Sequence, residues 1–278
     1  MNSSKNRRII NPLLALALSA GLGLVIGCDD ADATRGEGTL GVAIWGEEFI
    51  ETGIPASEFA DGFGVTFDSF LINVGEITVA REGEEPTLTA PAFRVYDLAS
   101  LTGPLAITTT AAPAAAYGHT AYTLAPATAG SEAGNATAAD RQLLVDHGWS
   151  LYVEGQATNG TVTKTFAWGF TTQAVYDPCH STAEVPDGGQ ATVQLTIHGD
   201  HLFYDDATSE EPALRFSDIA QADVDADGEV TLEELAAYDI TALPNYGVGS
   251  LDIDDLRGFL EHMVATVGHI DGEGHCSF

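Results

Sequence analysis

Gly64-Val65-Thr66-Phe67-Asp68-Ser69-Phe70-Leu71-Ile72-Asn73-Val74 is dense in β-branched and aromatic side chains. Such side chains fit a pleated, half-buried surface, so the segment predicts a β-strand. The same character continues on both sides. Residues 40–45 alternate, and residues 77–80, 93–96, 105–109, 120–124, 149–155, 162–170 and 191–198 form further short runs. Clusters of Gly, Pro, Asn and Asp separate them. Many short strands at even spacing, with no amphipathic helices between them, predict an antiparallel β-sandwich over residues 39–206. Residues 149–155 and 162–170 read as a hairpin across Thr158-Asn159-Gly160. Residues 108–116 and 125–138 read as loops, and residues 139–147 as a short helix.

After Tyr204 the period becomes helical, with Leu214, Phe216, Ile219, Leu232, Leu235, Ala236 and Tyr238 in phase. A last helix over 250–267 would bury Leu256, Phe259, Leu260, Met263, Val264 and Val267. Ser250 or Asp252 would cap it, and Gly268 would end it. The fold expected is therefore mainly β with a small α module, a sandwich followed by a helical segment over 207–278.

The charge is lopsided: 41 Asp and Glu stand against 10 Lys and Arg, a net −31. No basic face is available for the counterion release that drives nucleic-acid binding. Hydrophobic residues at 45% exclude a disordered acidic chain. Three of the ten bases, Lys5, Arg7 and Arg8, lie in the first eight residues, before an apolar run that ends Val25-Ile26-Gly27-Cys28. That run is shorter than the roughly 20 residues of a spanning helix. It resembles a bacterial lipoprotein signal peptide with its lipobox. The resemblance implies cleavage after residue 27, lipidation of Cys28 and a tether over 28–38. It further implies export to the periplasmic or cell-surface side of a bacterial membrane, which the lipid would make the chain's partner. Without the leader, 41 acids would face 7 bases, or −34. The remaining cysteines, Cys179 and Cys276, are an even pair in an oxidising compartment and are expected to form a disulfide.

The most specific motif is Asp223-Val224-Asp225-Ala226-Asp227-Gly228-Glu229-Val230-Thr231-Leu232-Glu233-Glu234. It resembles an EF-hand calcium loop at each diagnostic position. The resemblance implies side-chain ligands from Asp223, Asp225, Asp227 and Glu234, a backbone carbonyl from Glu229 and a contribution through Thr231. Gly228 falls where a positive φ is needed, and Val230 where EF-hands pair with a second loop. No second complete loop occurs; Asp252-Ile253-Asp254-Asp255 places Arg257 where glycine belongs. A lone loop suits a structural Ca²⁺ site at extracellular concentrations.

Of the six histidines late in the chain, five are candidate ligands: His180, His198, His201, His269 and His275. Two flank the cysteines, which suggests imidazoles converging on copper or zinc. In a continuous strand His198 and His201 would face opposite sides; they meet only if Gly199 breaks it. There is no GxSxG, P-loop or dinucleotide fingerprint. The expectation is a non-enzymatic, lipid-anchored calcium-binding protein. The alternatives are a transition-metal-binding lipoprotein using the histidines, and a secreted hydrolase with a structural calcium site.

Overall fold

A computed structural model describes residues 36–278. The segment expected as signal peptide, Cys28 and the expected tether as far as residue 35 lie outside the described residues. The first strand, β1 (Glu37–Trp45), starts inside the segment expected as tether, with Glu37 paired to Pro113. Then follow the short helix α1 (Glu47–Glu51), β2 (Gly64–Ala80), β3 (Leu88–Ala90) and β4 (Arg94–Asp97). β5 (Leu105–Pro113) and β6 (Ala116–Leu124) come next, then β7 (Glu132–Ala133) and helix α2 (Ala138–His147). β8 (Leu151–Thr158) and β9 (Thr163–Phe170) form the expected hairpin, with Leu151 opposite Phe170 and Thr158 opposite Thr163. After them come β10 (Ala174–Glu184), β11 (Gln190–Ile197) and a 3-10 helix over Gly199–Phe203. The chain closes with α3 (Ser217–Gln221), β12 (Glu229–Val230), α4 (Leu232–Ala237), α5 (Leu256–Val264) and β13 (Gly268–Ile270).

The fold is mainly β, as expected, but its two open sheets are mixed. One runs β13-β11-β1-β5; the other runs β10-β6-β2-β8-β9-β12, with β3, β4 and β7 attached beside β2. Most pairings are antiparallel, but β1–β11, β12–β9 and β4–β7 are parallel. β2 organises the larger sheet. It merges two segments expected as separate strands, because irregular pairing at Phe67/Ser69 and Gly75/Thr78 bends it without ending it. Such irregularities let one long strand change partners along its length.

Both sheets contribute to one core, in which Trp168, Tyr117, Tyr122, Tyr176, Phe70 and Phe166 are fully buried. Phe216, Ile219, Val230, Leu235, Leu256 and Phe259, from residues 207–278, belong to that same core. The helical segment thus closes over the sandwich and shares its interior.

Several local expectations change. Residues 108–116 are not a loop: β5 runs to Pro113 and β6 starts at Ala116. β5 is an edge strand, where Ala, Thr and a terminal Pro are tolerated. α2 forms as expected, because Thr137 and Asp140 make a reciprocal capping box. α5 is shorter than residues 250–267. Asp255, rather than Ser250 or Asp252, accepts from the Gly258 N–H, at 2.8 Å, and starts it. Gly268 does not end that helix but opens β13. A Cβ there would lie 2.4 Å from Tyr176 Cζ and 2.6 Å from the Tyr122 hydroxyl, so glycine is required by packing.

Candidate metal centres

The acidic loop lies between α3 and α4, and local chemistry shapes it. Asp225 Oδ1 accepts from the Asp227 N–H at 3.1 Å, and Asp227 Oδ1 from the Glu229 N–H at 2.8 Å. Gly228 has φ +96°, a conformation that L side chains rarely adopt. Thr231 caps α4, with Glu234 returning its carboxylate to the Thr231 N–H at 2.9 Å. The other Glu234 oxygen reaches back across the loop and accepts from the Val224 N–H at 3.2 Å. Ligand atoms of Asp223, Asp225 and Glu234 come within 4.8 Å of one another. The Asp227 carboxylate stays outside that group.

Asp223 is the buried anchor. Its Oδ2 accepts from the Gly228 N–H, at 3.0 Å, and pairs with the Lys164 ammonium from β9. The hydrogen bond from Lys164 holds its carboxyl below the usual range. Its Oδ1 is buried without any partner. An unpartnered carboxylate oxygen beside two more carboxylates fits a cation with a preference for oxygen ligands.

The loop also pairs with the larger sheet. Glu229 and Val230 pair in parallel with Thr165 and Phe166 of β9. The Trp168 indole N–H donates to the Val230 carbonyl at 2.7 Å inside the core. β12 thereby extends the edge of the larger sheet.

A second cluster gathers where the 3-10 helix meets β13. β11 ends at Ile197, so the chain does break at Gly199, and His198 and His201 turn to the same side with ring centres 5.4 Å apart. A Cβ on Gly199 would lie 2.8 Å from Ile50 Cγ1, which explains the glycine. His269 on β13 completes a triangle, 4.3 Å from His198 and 5.0 Å from His201. His275 stands 5.7 Å from His269, on the exposed side. His180 does not join: it is exposed on β10, opposite His119.

Three carboxylates ring the imidazoles. Glu47 Oε2 and Asp200 Oδ1 each lie 3.8 Å from a ring nitrogen of His198. A carboxylate oxygen of Glu273 lies within 4.8 Å of ring nitrogens of His198 and His269. Sequence reasoning missed all three, and Lys164 as well. Burial raises the Glu47 and Asp200 carboxyls above their usual range, against the pull of His198. Burial, reinforced by His198, pushes both His201 and His269 down to about 3.

Proton positions follow from partners. The Thr266 hydroxyl donates to the Met263 carbonyl at 2.8 Å, so it can only accept from His201 Nδ1, also at 2.8 Å. His201 is then protonated on Nδ1 and bare on Nε2. His269 Nδ1 is buried with no partner. The turn after β13 is held firmly. Ile270 and Gly274 exchange two backbone hydrogen bonds, and the Asp271 carboxylate accepts from Ser181 Oγ and the N–H groups of Thr182 and Gln194. Cys276 follows at once and forms the expected disulfide with Cys179, closing 97 residues.

A separate cleft of about 610 Å³ lies beside α1 and β2, and Glu48 is the only carboxylate lining it. No helix among the described residues is long and apolar enough to cross a membrane. No protein-family model, curated protein or solved structure matches the chain.

Proposed function

We propose that this is a lipid-anchored, extracytoplasmic calcium-binding protein in which one Ca²⁺ serves structure. It would act as a binding or structural protein rather than an enzyme. The convergence of Asp223, Asp225 and Glu234 on one point, with Asp223 Oδ1 left unpartnered, carries the reading. Asp223, Asp225, Asp227 and Glu234 would supply carboxylate oxygens, Glu229 a carbonyl, and Thr231 a water-mediated contact. When bound, Ca²⁺ would neutralise carboxylates that otherwise repel, so binding would stabilise the segment from α3 to α4. Because β12 extends the sheet and Trp168 grips Val230, that stabilisation would pass to the sandwich. The anchor rests on the sequence around Cys28, and the Cys179–Cys276 disulfide supports an oxidising location.

Equilibrium titration of the full chain with Ca²⁺ tests the calcium reading. One ion per chain is expected, with Glu234→Gln weakening binding at least tenfold. Equal binding by wild type and Glu234→Gln would contradict it. For the anchor, Cys28→Ala should move the protein from the membrane to the soluble fraction.

A further inference from the structure

We propose that His198, His201 and His269, with Glu273 as the outer ligand, hold one Zn²⁺ ion at a site separate from the calcium loop. Imidazoles on one tetrahedral ion, with metal–nitrogen bonds of about 2.0–2.1 Å, have ring centres roughly 5 Å apart. The three rings stand at 4.3, 5.0 and 5.4 Å, on that spacing before any ion is considered. A histidine cluster in a core can instead be bonded out to its neighbours; here His201 Nδ1 meets Thr266 at 2.8 Å and His198 Nε2 lies 3.4 Å from the Gly272 carbonyl, but His269 is not bonded out. His269 Nδ1 has no partner although the residue is 9% exposed. His201 is held by Thr266 so that Nε2 keeps its lone pair. A histidine that donates its other ring nitrogen to a fixed acceptor is the usual posture of a metal ligand.

The charge around the rings points the same way. Glu47 and Asp200 lie beside His198, and Glu273 faces His198 and His269. Neither Lys nor Arg lines the adjoining cleft of about 550 Å³, which His201, His269, Glu273 and His275 border. Carboxylates next to ligating imidazoles orient them and raise their basicity, and the cleft supplies an entry path. Imidazole nitrogens with a single carboxylate suit zinc, whereas calcium takes oxygen ligands. The disulfide and the Asp271 network hold the turn that carries Glu273, so the outer ligand is placed in advance.

The test uses the full chain, purified without a polyhistidine tag and kept in excess Ca²⁺. Co²⁺ serves as the spectroscopic probe and Zn²⁺ as the competitor. One Co²⁺ per chain is expected, with the intense visible bands of a tetrahedral site, displaced by one equivalent of Zn²⁺. Glu273→Gln, at an exposed turn position, should weaken Zn²⁺ binding at least tenfold with the fold unchanged by near-UV circular dichroism. His269→Gln should abolish the visible bands. Glu234→Gln, in the calcium loop, should leave zinc affinity within twofold. Several weakly bound ions per chain, octahedral Co²⁺ spectra, or Zn²⁺ affinity unchanged in both Glu273→Gln and His269→Gln would overturn the proposal.

Discussion

Lys164 occupies a position that the calcium reading makes awkward, and it yields a quantitative prediction. Its ammonium pairs with Asp223 Oδ2, and the two side chains are 15% and 0% exposed. A Ca²⁺ ion on the free Oδ1 would face this ammonium across one carboxylate, and the close repulsion between the two cations favours calcium where the pair is open. The protein that can bind calcium is then only the fraction with the pair open, and the apparent affinity falls by that fraction. If the pair is closed about nine times in ten, the penalty is roughly tenfold in Kd. Lys164→Met keeps the aliphatic stem beside β9 and removes the charge. Calcium affinity, measured by competition with a chromophoric chelator, should therefore rise by roughly tenfold. In chelator the same variant should melt below wild type, since Asp223 has lost its counter-charge. The two effects have opposite signs, which distinguishes competition from a general loss of packing. A Lys164→Met protein that binds calcium no more tightly than wild type would refute the reasoning.

Three further outcomes follow from the second cluster and its supports. In metal-free protein, His201 and His269 are held near 3 against an ordinary 6.5, so below pH 6.5 the unfolded chain takes up protons first. Their contribution is complete above pH 6.5 and is lost as pH falls from there towards 3. At pH 5 the loss is at most roughly 2 kcal/mol per ring. Glu47, Asp200, His198, Glu273 and His275 lie nearby, so the test is the difference between wild type and His269→Gln, which should flatten the slope of denaturant stability between pH 7 and pH 5. Reducing Cys179–Cys276 should cost about 4–5 kcal/mol by the chain-entropy account, with engineered cases often giving less; unchanged urea stability after reduction would count against it. Gly199→Ala should destabilise the protein and, more specifically, lose the tetrahedral Co²⁺ spectrum, because its Cβ would push the 3-10 helix away from Ile50.

What could be read from the sequence was what depends on local spacing. The acidic loop is legible because its carboxylates, turn glycine and helix cap lie within twelve consecutive residues, and α2 because Thr137 and Asp140 cap it from three residues apart. β10 went unread. Its alternation is interrupted at Asp177-Pro178, and its pairing with β6 is irregular between Tyr176 and Cys179. The condition on Gly199 was legible, but its fulfilment was not, since it depends on Ile50 across the fold. Glu273 and Lys164 carry no sequence signal at all. Lys164 reaches Asp223 over 59 residues, and Glu273 meets His198 only because Asp271 and the disulfide fold the tail back. The mixed character of the sheets was hidden for the same reason: β1 pairs with β11 across most of the chain, and β12 is two residues long.

The central claim, one structural Ca²⁺ in the loop of Asp223 to Glu234, is tested most directly by the melting temperature of the full chain in calcium and in chelator. With an extracellular-type Kd of about 10⁻⁴ M and calcium at tenfold excess over it, mass action stabilises the native state by about 1.4 kcal/mol. For a chain of this size that is a rise of roughly 3–5 °C. The account predicts that rise in wild type and a rise of at most about 1–2 °C in Glu234→Gln. Superimposable melting curves for wild type with and without calcium would contradict it.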